Sequence, residues 1–174
     1  NGSFLSLALS IYLLIFELSF FINSNISITA WLAPPWSLPH KAEIPAEIEA
    51  NKYVKETQKI MVHPFDDPYV IAGQGTIGLE MLEQFPDLDT VVVPTSGGGL
   101  IGGIAIAVKS HKPKVKIIAV SMKSGASMYQ SLKKGYPVEV LERKTLADSL
   151  GGSIGLNNKH TFKILQEYID DFVI

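Results

Sequence analysis

The clearest chemical signal in the sequence is residues 90–103, TVVVPTSGGGLIGG, where a β-branched run passes through Pro94, Thr95 and Ser96 into three consecutive glycines and an apolar segment. A buried strand leading through glycines into a helix makes an anion cradle. Without Cβ atoms, successive backbone N–H groups can turn toward a guest, and the helix N-terminus adds roughly half a positive charge at the same point. Phosphate suits that field, at the carboxyl end of a strand where open α/β sheets place their ligands. A turn that binds nothing needs only one or two glycines.

Two glycine sets match the dinucleotide spacing G-x-G-x-x-G: Gly97, Gly99 and Gly102, and Gly73, Gly75 and Gly78. That fingerprint also needs an acidic residue at the end of the following strand, to hold the ribose hydroxyls. The strand after Gly97 ends in Val120, Ser121 and Met122, and the one after Gly73 ends in Val93 and Pro94. Neither offers a carboxylate, which makes an NAD(P)-binding oxidoreductase domain the weaker alternative. No glycine is followed by Lys and then Ser or Thr, so a Walker loop is excluded. The cradle suits a single phosphate on a smaller cofactor.

The elements that must position this loop follow from hydrophobic periodicity. Helices are predicted over 46–59, 76–85, 100–111, 126–134 (with Gly135 as its stop) and 158–170, and strands over 60–63, 90–93, 115–120 and 172–174, with 136–141 extended. Strands separated by helices imply βαβ units with right-handed crossovers. The expected fold class is α/β, a partial domain with a parallel sheet, helices on both faces, and an incomplete edge.

Composition bounds the rest. The 174 residues correspond to one domain or most of one. Fifteen Lys and Arg against seventeen Asp and Glu leave no positive excess, so nucleic acid is not an expected partner. The absence of cysteine removes thiolate metal sites, disulfides and a cysteine nucleophile. The chain is uneven, since no Lys or Arg precedes Lys41. Residues 1–40 are expected to be an apolar segment and Pro-rich linker foreign to the domain at 41–174. Within them, residues 4–22 are long enough for a bilayer, but Glu17 and the lack of flanking basic residues weigh against membrane contact.

Three stretches in order, HPFDDPYVIAGQGTIGLE, VVVPTSGGGLIGGIA and LADSLGGSIGL, resemble the pyridoxal-phosphate-dependent threonine/serine dehydratases of fold type II. SMKSGA (121–126) and LADSLGGSIGLNN look most similar to the hydroxyectoine-utilisation dehydratases, with serine racemase a more distant relative. The resemblance implies pyridoxal 5'-phosphate as cofactor and, in the complete enzyme, loss of the β-hydroxyl from a hydroxy amino acid to give a keto acid and ammonia. It implies a small-molecule substrate, a homo-oligomer and a cytoplasmic location.

Carried over by motif, the cofactor phosphate falls to the backbone N–H groups of Ser96, Gly97, Gly98, Gly99 and Leu100, with Ser96 standing where the family's first glycine would be. The serine hydroxyl could add a donor. Thr76 is read as a helix N-cap. Asp148 falls on a loop near the substrate side of the ring, a turn or cap role being equally open. The relatives' divalent-cation carboxylates fall on Ser121 and Ser127 here, so no metal site is expected. The HPFDDP segment, with His63, Asp66 and Asp67, is read as a turn. The family's Schiff-base lysine, in a Ser-Phe-Lys-x-Arg-Gly-like motif, has no counterpart: Lys41 lies in PHKAE. The expectation is therefore a fragment with no catalytic residue of its own, inactive alone, the alternative being an inactive, membrane-tethered relative.

Overall fold

The computed structural model describes residues 43–141, 145–147 and 150–174. The apolar segment at 4–22 and Asp148 lie outside the described residues. Among those described, no helix is long and apolar enough to cross a membrane. The chain divides into two units, one ending at Val62 and the other running from His63 to Ile174.

In the first unit, helix α1 (Glu43–Thr57) ends where Gln58 takes a left-handed φ of 57° while its N–H still donates to Val54 O. The strand expected over 60–63 does not form, and Ile60 is 79% exposed. A short apolar run becomes a strand only where an edge accepts its hydrogen bonds, and composition alone cannot supply that edge.

The second unit holds α2 (Pro68–Gln84), β1 (Thr90–Pro94), α3 (Gly99–His111), β2 (Lys116–Val120), α4 (Ser127–Lys134), α5 (Thr161–Tyr168) and β3 (Asp171–Val173). The strands lie in the order β1-β2-β3, all parallel, with Val92 beside Ile118 and Ile118 beside Asp171. Their β-branched residues suit the pleated surface. Val91, Val93, Ile117 and Ala119 face a core shared with Ile101, Ile104 and Val108 of α3, Met128 of α4 and Leu165 of α5. Each such fully buried Val, Ile, Leu or Met side chain contributes about 1.5–3 kcal/mol. Val92, pointing to the opposite sheet face, is 60% exposed. Asp170 places β3: its Oδ2 accepts from Ile117 N and from Lys109 Nζ, both at 2.7 Å. The Lys109 ammonium holds the Asp170 carboxyl below the usual carboxylate range.

Helix α2 corrects the predicted start at residue 76. It begins at Pro68, whose ring presets a helical φ, and Asp67 is the N-cap, its Oδ1 accepting from Tyr69 N at 2.8 Å and Val70 N at 3.2 Å. Thr76 is mid-helix, its hydroxyl donating to Gly73 O. The glycines that suggest a boundary serve packing instead. A Cβ on Gly103 would collide with Ile71 O and lie 2.6 Å from Gly75 N, so α2 and α3 cross at backbone contact. This also removes Gly73, Gly75 and Gly78 as a phosphate loop, because all three lie inside α2.

Candidate functional site

At the carboxyl edge of the sheet, β1 passes into Thr95, which is 1% exposed. Its N–H donates to Val120 O at 2.8 Å, so the sheet holds the chain one residue beyond β1. Ser96, Gly97 and Gly98 then bend, and α3 starts at Gly99. Gly98 is the N-cap at φ 90°, a left-handed conformation that favours glycine. Ser96 is not among the described residues with positive φ, so a side chain is tolerated where the resemblance expects glycine.

The polar groups of this bend are unusual in what they lack. Among the described residues, the N–H groups of Ser96, Gly97, Gly98, Gly99 and Leu100 have no protein acceptor, and the three glycines are buried. A buried N–H without a partner costs about 1–3 kcal/mol, so a row of them calls for an external acceptor. Two other helix starts in this unit are already filled by carboxylates. Asp67 takes the start of α2, and Asp66 takes that of α5, accepting from Lys159 N at 2.6 Å, His160 N at 2.8 Å and Thr161 N at 2.9 Å. At α3 the capping residue is a glycine, with no side chain to offer. The row of N–H groups and the dipole of a 13-residue helix fit an anion such as a phosphate.

The walls behind the bend are tight. A Cβ on Gly97 would overlap the Phe65 ring, one on Gly99 would lie 2.9 Å from Phe65 O, and one on Gly98 would lie 2.8 Å from Met128 and 3.1 Å from Thr161. Phe65 is itself held in place. His63 Nδ1 accepts from Asp66 N at 2.9 Å, and the His63 and Phe65 rings meet edge to face at 4.5 Å. Burial alone would raise the Asp66 carboxyl, but the N–H groups of Lys159, Thr161 and His160 and the charge of His63 outweigh it, leaving the group below its ordinary range.

The predicted turn at HPFDDP is thus a brace that seats Phe65 on the glycine bend and caps α2 and α5. Sequence reasoning does not pick out Phe65 and Asp66 as site-forming. Asp67 before Pro68 carries a readable cap signature, whereas the partners of Asp66 lie more than ninety residues away.

Ser96 uses its hydroxyl differently from the expectation: Oγ donates to Gly151 O at 2.8 Å. Leu100 is half-buried on the first turn of α3. Ser127 Oγ donates to Val138 O at 3.2 Å and accepts from Ile154 N at 3.4 Å, while Ser121 Oγ is buried with no partner among the described residues. No group of three or more His, Asp or Glu side chains that could hold a metal ion occurs among the described residues.

Comparison with known proteins matches this arrangement to a family. The sequence profile described as pyridoxal-phosphate dependent enzyme matches residues 39–174. The chain is 45% identical to an L-threonine ammonia-lyase of Thermotoga maritima over 71% of its length, and 47% identical to the serine racemase of Homo sapiens over 70%. It spans only 30% and 35%, respectively, of the length of those curated relatives. Among solved structures, the processed threonine deaminase isoform 2 from Solanum lycopersicum superposes with a TM-score of 0.68 at 38% identity, over 74% of this chain and 37% of that one. With that profile matching most of its length, and with that similarity to the solved threonine deaminase, the chain belongs to the pyridoxal-phosphate-dependent enzymes of fold type II.

Proposed function

We propose that Ser96, Gly97, Gly98, Gly99 and Leu100 hold the phosphate of pyridoxal 5'-phosphate through their backbone N–H groups, and that the complete enzyme is a threonine/serine ammonia-lyase. The observation that carries the first part is the row of N–H groups at the start of α3 that have no acceptor among the described residues. The second part rests on relatives such as the L-threonine ammonia-lyase. When bound, the cofactor supplies an electron sink for the carbanion formed at the substrate α-carbon. The residues of this chain bind and orient: the cradle fixes the phosphate, Phe65 backs the bend, and the dipole of α3 offsets the anionic charge. Such anchoring is uniform binding, which positions the cofactor without lowering the barrier of the chemical step. No Ser-Phe-Lys motif occurs in the sequence, so the base that moves the α-proton is proposed to lie outside these residues. The domain is proposed to comprise residues 41–174, and residues 1–40 are read as no part of the phosphate site.

Titration of the 174-residue chain tests this reading. Pyridoxal 5'-phosphate and inorganic phosphate should bind competitively at about millimolar Kd, roughly 4 kcal/mol, while pyridoxal, lacking the phosphate, should not bind detectably. Equal binding of pyridoxal and its phosphate would remove the cradle from the site. Threonine or serine added with the cofactor should yield no keto acid. Threonine-dependent ammonia release that disappears when one lysine of this chain is replaced would place the catalytic base here.

A further inference from the structure

We infer that Ser96 is a positioning residue, whose hydroxyl fastens the loop at 150–155 to the rim of the cradle and thereby links occupancy of the cradle to order in that loop. The inference rests on the phosphate site proposed above. The backbone on either side of Ser96 is held. Thr95 is bonded to Val120 O, and Gly97 lies against the Phe65 ring. Its Oγ, which turns about the Cα–Cβ bond, donates at 2.8 Å to the carbonyl of Gly151, which is 55 residues away.

The far end of the loop is anchored independently. Ile154 is 2% exposed, its N–H reaches Ser127 Oγ, and its carbonyl accepts from Asn158 Nδ2 at 3.1 Å. Between these ties Gly152 stands at φ 105°, a conformation that glycine adopts without the steric cost a Cβ would bring. The bond from Ser96 is thus a side-chain tie at the near end of a glycine-rich stretch. One residue meets both parties, because the N–H of Ser96 belongs to the cradle while its O–H goes to Gly151. A guest that orders the N–H also orders the hydroxyl, so less conformational freedom remains to be lost when the loop docks.

Amide hydrogen exchange at residues 150–155 of the full 174-residue chain tests this in wild type, Ser96→Ala, Ser96→Gly and Ser96→Thr. Without ligand, loss of the hydroxyl in the Ala and Gly variants should speed exchange in the loop about fivefold, the factor that one hydrogen bond supports, while Thr should behave as wild type. Exchange in α3 at residues 104–108 should not change. Saturating inorganic phosphate should slow the loop further in wild type and Ser96→Thr, and leave it unaltered in Ser96→Ala.

Wild-type exchange rates in ligand-free Ser96→Ala and Ser96→Gly would overturn the tie. Acceleration of α3 together with the loop in both variants would overturn it too, by making Ser96 a packing residue. Phosphate that binds wild type without slowing the loop would overturn the linkage. Phosphate that does not bind at all would instead remove the cradle reading and the linkage with it, with the tie still decided by the ligand-free comparison.

Discussion

Replacing Gly103 with alanine should destabilise the His63–Ile174 unit by about 2–4 kcal/mol, while the same change at the adjacent Gly102 should be neutral or slightly stabilising. The contrast comes from geometry within one helix. A Cβ on Gly103 would press on Ile71 O and Gly75 N, which are backbone atoms of α2 and cannot swing away as a side chain could. The two helices would have to separate, opening the contact between α2 and α3 and stripping cover from Ile71 and Ile104. On Gly102 the new methyl would lie 3.4 Å from Ile164 Cγ2, an ordinary contact, and the helix would gain up to about 1 kcal/mol from replacing glycine. Gly73, exposed in α2 with nothing within 4 Å of its would-be Cβ, should likewise gain on change to alanine. Urea midpoints of the three variants measure the differences, and similar losses at Gly102 and Gly103 would contradict the close crossing.

The second large effect should come from Asp66. Changing it to alanine leaves the N–H groups of Lys159, His160 and Thr161 without their acceptor, at an expected cost of about 2–3 kcal/mol. The Asp66→Asn change keeps a neutral acceptor and should lose about half as much. The pH dependence follows from the lowered carboxyl pKa. Because the native group titrates below its unfolded value of about 3.9, its contribution is complete above that pH and is lost as pH falls through the lower native value. Wild type should therefore weaken below about pH 4 in a way that Asp66→Asn does not share. Urea unfolding followed from pH 7 to about pH 2.5 reads this directly, and equal slopes in the two proteins would contradict it.

Much of this is legible in the sequence, for reasons that also explain what is not. The strands at Thr90–Pro94 and Lys116–Val120 announce themselves through consecutive β-branched residues, and the bend at Ser96–Gly99 through glycines placed after one of them. The stop of α4 at Gly135, which takes φ 82°, is a local signal that the sequence carries by itself. Helix α2 reads too short because Gly73 and Gly75 look like punctuation. Only the facing α3 reveals that Gly75 is there to admit another backbone. The strand expected at 60–63 fails for the opposite reason, since its composition is right but among the described residues no edge pairs with it. The two ties that shape the site, Asp66 to the start of α5 and Ser96 to Gly151, join residues far apart along the chain. Neither partner carries a local mark of the other.

The span of the Asp66 cap has a kinetic meaning. Its three bonds close a loop of 93–95 residues, nearly the whole second unit, so they can form only after α5 has reached the HPFDD turn. Closing a loop of that length costs entropy before its bonds repay it, and we predict that the cap is made after the main barrier, which a φ-value near zero at Asp66 would show. The cap then acts on escape from the native state, with little influence on the approach to it. Its removal should appear almost wholly as faster unfolding, and Asp66 should serve as a clasp that sets how long the glycine bend at the start of α3 stays assembled.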